Sequence, residues 1–141
     1  MTFSPMLASV RVLVVDSETE SRELIVTLLT HSGAHVTPAA SVDEALALLD
    51  QQSFHVLLAD ISRPQQNGYD LIREVRKREQ AQPGASQRLP AVAATTQSQA
   101  EERIRLLQAG YQTHLLKPID PEELVCVVAA LADWGGGLPR S

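Results

Sequence analysis

Five short apolar runs, each followed by apolar residues at helical spacing, divide the chain from Val10 to Trp134 and leave few folds open to it. The runs are Val10 to Val15, Ala34 to Ala39, Phe54 to Ala59, Pro90 to Ala94 and His114 to Leu116. The third is continuous and bounded by turn residues, which predicts a strand buried on both faces, as in a parallel sheet. The helical patterns are Leu24, Ile25, Leu28 and Leu29; Ala45, Leu48 and Leu49; Tyr69, Leu71, Ile72 and Val75; Ile104 and Leu107; Leu124, Val127, Val128 and Leu131. Each parallel crossover needs a helix, and each is right-handed. The chain is therefore predicted to be α/β, a doubly wound five-stranded parallel sheet with five helices. A strand order of 2-1-3-4-5 buries strands 1, 3 and 4 and leaves the second strand, which contains Pro38, at an edge.

Start and stop signals agree with this partition. Ser32-Gly33 ends the first helix. Ser41 to Glu44 and Ser98 to Glu101 read as capping boxes, and Asp120-Pro121 with Glu123 opens the last helix. The third helix is expected over Gly68 to Arg78. Glu79 to Leu89, with Pro83-Gly84, reads as an exposed loop. Residues 1–9 are expected to be an N-terminal extension, 10–134 one domain and 135–141 a frayed tail.

Bulk properties exclude several classes. A chain of 141 residues suffices for one domain with a core, not comfortably for two. Its net charge of -5 argues against a nucleic-acid surface, which needs a clustered basic patch. No apolar stretch reaches the ~20 residues needed to cross a bilayer, and no charged n-region precedes an apolar block at the start. A cytoplasmic protein with no membrane partner is expected. The single cysteine, Cys126, excludes an internal disulfide, and within an apolar helical pattern it reads as a small buried hydrophobe. Arg73, Arg76, Lys77 and Arg78 read as a solvated helix face. Tyr69 reads as packing. His31, His35 and His55 lack metal-ligand spacing and read as solvated or hydrogen-bonded.

In a parallel sheet the carboxyl ends of the strands open onto the ligand crevice. Four strand ends carry Asp16-Ser17-Glu18, Asp60, Thr95-Thr96 and Lys117-Pro118. Clustered carboxylates repel unless a cation joins them. Oxygen ligands suit Mg²⁺, which takes one or two carboxylates plus a phosphate. Lys117 adds a point charge and Thr95 a hydroxyl, with Thr96 as its competitor. Together they describe a phosphoryl pocket beside a metal, with the carboxylate of Asp60 as nucleophile.

These same residues carry a resemblance. Val-Leu-Val-Val-Asp16, Asp60-Ile-Ser-Arg-Pro64 with Asn67-Gly68, Ala-Ala-Thr95 and Lys117-Pro118 resemble, in order, the motifs of response regulator receiver domains, across about Val10 to Asp133. The stretch from Leu89 onward is similar to receivers of hybrid sensor kinases. The resemblance implies a flavodoxin-like, CheY-like fold. It also implies phosphoryl transfer from a histidine kinase or phosphotransfer protein to Asp60, and output through a downstream protein target. Lys117 would contact the phosphoryl group and Thr95 would be the switch hydroxyl. Asp16, Asp60 and the backbone carbonyl of Ser62 would hold Mg²⁺. A homodimer through the last-helix face is compatible with it. Such a domain is a phosphoacceptor, not a conventional enzyme.

The chain departs from this pattern twice. Ser17 stands where a second acid is usual, which implies weaker Mg²⁺ binding, with either Ser17 or Glu18 taking the place of the acid. His114 stands at the switch position usually held by Tyr or Phe, and a histidine there brings a side chain that changes charge near neutral pH. Ser17 also favours a second reading, a pseudo-receiver that binds partners without being phosphorylated. A small-molecule phosphatase is disfavoured, because Ser62 stands where a second Asp would be needed.

Overall fold

The computed structural model describes residues 6–61, 68–82, 88–96 and 99–134. Among them five strands alternate with five helices: β1 (Arg11–Val15), α1 (Thr19–His31), β2 (His35–Ala39), α2 (Val42–Gln51), β3 (Val56–Asp60), α3 (Gly68–Ala81), β4 (Ala91–Thr95), α4 (Ala100–Ala109), β5 (Thr113–Leu116) and α5 (Pro121–Trp134). The sheet is parallel throughout, in the order β2-β1-β3-β4-β5. This is the flavodoxin-like arrangement expected. Pro38 lies on β2, whose one partner is β1, so its missing N–H removes no bond from a central ladder.

Alternation along each strand feeds two cores. Val12, Val14, Val56, Leu58, Val92 and Leu115 pack with Ile25 and Leu29 of α1 and Leu124, Val128 and Leu131 of α5. The intervening Leu13, Val15, Leu57, Ala59, Ala91 and Ala93 pack with Ala45 of α2, Leu71, Ile72 and Val75 of α3, and Leu106 of α4. Every residue of β3 and β4 is buried, because helices cover both sides. Each fully buried Leu or Val contributes roughly 1.5–3 kcal/mol over exposure.

Helix ends follow local chemistry. Ser41 Oγ accepts from Glu44 N–H at 3.1 Å, and Glu44 Oε1 accepts from Ala40 N–H at 2.7 Å. Asp120 Oδ1 accepts from Glu122 N–H at 3.0 Å at the start of α5. α4 begins differently from expectation: its N-cap is Gln99, with no side-chain capping bond, and Ser98 lies outside the described residues. α3 runs on to Ala81, so Glu79 to Ala81 are helix and not loop. Pro83-Gly84, Asn67 and the 135–141 tail also lie outside the described residues.

Three expectations about packing are corrected. Cys126 is exposed, because the buried stripe of α5 runs through Leu124, Val128 and Leu131 and a residue two positions past Leu124 points away from it. On α4, Ile104 and Leu107 are 55% and 48% exposed and Leu106 is the buried residue, so the apolar face is the opposite one. Arg76 is not on a solvated face. It follows Ile72 by four residues, shares the inward side of α3 and is 8% exposed. The residues before Val10 also contribute to the core: Leu7 is fully buried, and its N–H donates to the Ser32 carbonyl at 2.9 Å.

Candidate functional site

Backbone bonds carry the strand registers past the strand ends. Asp16 N–H donates to the Ala39 carbonyl at 3.0 Å, Ile61 N–H to Ala94 at 2.8 Å and Lys117 N–H to Thr95 at 2.8 Å. Asp60 sits opposite Ala94, and Thr95 opposite Leu116. The site is thus built from main-chain ladders, and its side chains inherit their rigidity.

Asp16, Asp60 and Lys117 come together. Lys117 Nζ lies 2.7 Å from Asp60 Oδ2 and 3.9 Å from Asp16 Oδ2. Both carboxylate side chains are 0% exposed and the lysine side chain is 17% exposed. Two buried acids are tolerated because an ammonium stands against both. Asp16 Oδ1 also accepts from Glu18 N–H at 2.9 Å, while the guanidinium of Arg22 donates to the Asp16 carbonyl at 2.8 Å. These bonds tie the acid to the first turn of α1. The Lys117–Pro118 peptide is cis.

The remaining expected residues separate. Thr95 is fully buried at the end of β4, beside Asp60's strand, whereas Thr96 is exposed; burial therefore favours Thr95 as the hydroxyl of the site. Ser17 is exposed. Glu18 is half-buried and lines a groove with Ser21, Leu24, Ile25, Lys117 and Pro118. His114 is half-buried on β5 opposite Ala93. Ser62 lies outside the described residues. His55 is hydrogen-bonded, as expected: its Nδ1 accepts from Arg11 N–H at 2.9 Å, and burial with the Arg11 charge pulls its pKa below the ordinary histidine value.

Two participants had no clear signal in the sequence. Ser21 Oγ accepts from Lys117 Nζ at 3.2 Å. Tyr111 is buried at the head of β5, and its hydroxyl donates to the Gly68 carbonyl at 2.7 Å. Burial, reinforced by Tyr69 and Asp60, pushes the Tyr111 pKa well above the ordinary phenol range. Gly68 itself is required by close approach, since a Cβ there would run into the Ile61 side chain. Tyr69, expected to be plain packing, also donates its hydroxyl to Glu102 on α4. The two tyrosines therefore join the start of α3 to α4 and β5.

The comparisons with known proteins agree with this geometry. Residues 12–129 match the response regulator receiver domain family, and the chain belongs to it. It is 36% identical over 122 residues to an uncharacterized 14.6 kDa protein from the sodA1 3' region of Leptolyngbya boryana, covering 86% of this chain and 89% of that one. It is 32% identical to the transcriptional regulatory protein CpxR of Klebsiella pneumoniae, covering 86% of this chain and 48% of that protein. Among solved structures, CheY4 of Vibrio cholerae superposes with a TM-score of 0.76 at 27% identity, over 88% of this chain and 99% of that one. A Francisella response regulator receiver domain superposes with a TM-score of 0.77 at 26% identity, over 88% and 97%. A receiver domain is a signalling domain and not a conventional enzyme. Because the chain spans about half of CpxR, a transcriptional regulator, the charge-based expectation against nucleic acid is withdrawn. No helix among the described residues is long and apolar enough to cross a membrane.

Proposed function

We propose that Asp60 accepts a phosphoryl group from the phosphohistidine of a partner kinase or phosphotransfer protein, in the cytoplasm, and that the modification alters a protein-binding surface. One observation carries the reading: the buried carboxylates of Asp16 and Asp60 share the ammonium of Lys117, which is 2.7 Å from Asp60. An Asp60 oxygen forms a bond to phosphorus as the phosphorus–nitrogen bond breaks, and the electron pair of that bond returns to the imidazole. Lys117 stays protonated and stabilises charge on the phosphoryl oxygens, the kind of positioning that dominates phosphoryl transfer.

Mg²⁺ fits the donor set. Asp16 and Asp60 are adjacent, buried oxygen ligands, and one or two carboxylates are what Mg²⁺ takes from protein. When bound, the ion would offset charge on the phosphoryl oxygens. Asp16 and Asp60 would hold it, with the Ser62 carbonyl and either Ser17 or Glu18 as further ligands.

The output follows from register. Thr95 pairs with Leu116, which is 40% exposed, and His114 lies two residues earlier on the same edge strand. Movement of the Thr95 hydroxyl toward a phosphoryl group would be felt on β5. The exposed apolar side chains Ile104 and Leu107 on neighbouring α4 extend that surface, which suits a downstream protein target or a second copy of the chain.

The second reading, a pseudo-receiver, is favoured by Ser17 alone. Intact mass after incubation with acetyl phosphate and Mg²⁺ separates them. One added phosphoryl group that disappears in Asp60→Asn supports the first reading. Absence of any adduct at every Mg²⁺ concentration supports the second.

A further inference from the structure

Lysine places its charge on a flexible four-carbon stem, so an ammonium that must meet one oxygen needs direction from its surroundings. Lys117 is held at both ends. Its backbone N–H is bound to the Thr95 carbonyl at 2.8 Å. Its Nζ has three donors; one goes to Asp60 Oδ2 at 2.7 Å and one to Ser21 Oγ at 3.2 Å, while Asp16 Oδ2 stands at 3.9 Å. Ser21 reaches this position from the first turn of α1, 96 residues away in sequence.

Glu18 and Glu20 line the groove in which Ser21 and Lys117 lie. The hydroxyl of Ser21 is neutral and fixed on a helix, so it adds a directed acceptor without adding charge.

We infer that Ser21 is a positioning residue that holds the Lys117 ammonium on Asp60. The inference rests on the reading of Asp60 as phosphoacceptor. It acts through Lys117 and assigns Ser21 no contact with the phosphoryl group.

The test uses the full chain with acetyl phosphate at saturating Mg²⁺, and follows phosphoryl uptake by intact mass over a range of donor concentrations. Losing one hydrogen bond donated by a charged group lowers the maximal rate about tenfold or more in Ser21→Ala. Ser21→Thr, which keeps the hydroxyl, restores the rate to within about twofold. The second measurement needs no phosphorylation: the NMR order parameter of the Lys117 ε-methylene falls in Ser21→Ala and recovers in Ser21→Thr. An unchanged rate, an unchanged order parameter, or failure of Ser21→Thr to restore either one overturns the inference. If the wild-type chain takes no phosphoryl group, the reading of Asp60 fails, and the order parameter alone decides whether Ser21 holds Lys117.

Discussion

Arg76 offers the sharpest test of how the site's scaffold is held. Its Nε and Nη2 both donate to the Gly110 carbonyl, at 3.0 and 2.8 Å. Nη1 meets both carboxylate oxygens of Glu79 at 3.0 Å, and Nη2 reaches Gln112 Oε1 at 3.2 Å. Gly110 has φ +130, and a Cβ there would lie 2.9 Å from Arg76 Cγ, so the turn is shaped to admit this side chain. Arg76→Met keeps the apolar stem and removes the fork. The Gly110 carbonyl then loses two donors, at a cost of about 1–3 kcal/mol. Glu79 loses its cation but keeps the Leu89 N–H at 2.7 Å and is 20% exposed, which limits its share. Gln112 keeps the Ala91 N–H at 2.7 Å. The expected loss is about 3 kcal/mol, at the lower end of the 3–5 kcal/mol range for breaking a fully buried pair. In a domain of this size it lowers Tm by roughly 6–12 °C. Urea denaturation reads it as a lower midpoint with an unchanged m-value. Arg76→Lys recovers only part, since one ammonium cannot fork around a carbonyl. A loss below about 1 kcal/mol for Arg76→Met would show the network to be surface decoration and refute the reasoning.

Further outcomes follow from other groups. Ser17→Asp should tighten Mg²⁺ binding about tenfold or more, as read by titration calorimetry, since a charged oxygen replaces a neutral one beside Asp16; an unchanged affinity places the metal elsewhere. Tyr111→Phe removes the phenol's hydrogen bond to the Gly68 carbonyl and should cost about 0.5–1.5 kcal/mol in chemical denaturation; a loss within error would mean that this bond adds nothing to stability. Burial first, and then the bond to Glu102, push the Tyr69 pKa up to about 12 from 10.0. The folded state then keeps a proton that the unfolded chain releases, so stability is intact below pH 10 and falls as pH rises toward 12. Tyr69→Phe should flatten that fall in pH-dependent unfolding, and an identical slope would contradict the assignment.

The architecture was legible because it rests on periodicity. Strand runs ending in Asp16, Asp60, Thr95 and Lys117 fixed both the sheet and the place of the site, and ladder bonds turned that order into proximity. Helix faces were less legible where two apolar stripes competed. On α4, Ile104 and Leu107 outvote Leu106 by count, yet Leu106 is the residue that meets Tyr111 and Ile72 in the second core. Charged residues misled for a similar reason. Arg76 looks like its neighbours Arg73 and Lys77 until the Gly110 carbonyl, 34 residues on, arrives beside it. Ser21 had no signal at all, because a serine in a first helical turn has many uses and its partner here is 96 residues distant.

The serine at position 17 alters charge more than shape. Asp16 and Asp60 against Lys117 leave one net negative charge among these three groups, where an acid at position 17 would leave two. Coulomb attraction for a divalent ion falls accordingly, and burial makes the difference larger than it would be in water. A phosphoryl group on Asp60 reverses the balance, since a phosphate brings about -1.5 to -2 charges in place of one carboxylate charge. The modified pocket therefore attracts a cation more strongly than the resting one does. Under the receiver reading, metal binding and phosphoryl capture would be coupled, and linkage would make the coupling reciprocal. Under the receiver reading, Ser17 raises the Mg²⁺ concentration needed for uptake without touching the nucleophile. Under the pseudo-receiver reading, no concentration suffices. Saturating metal, not the presence or absence of a third acid, is thus the condition that separates a weakened receiver from an inert one.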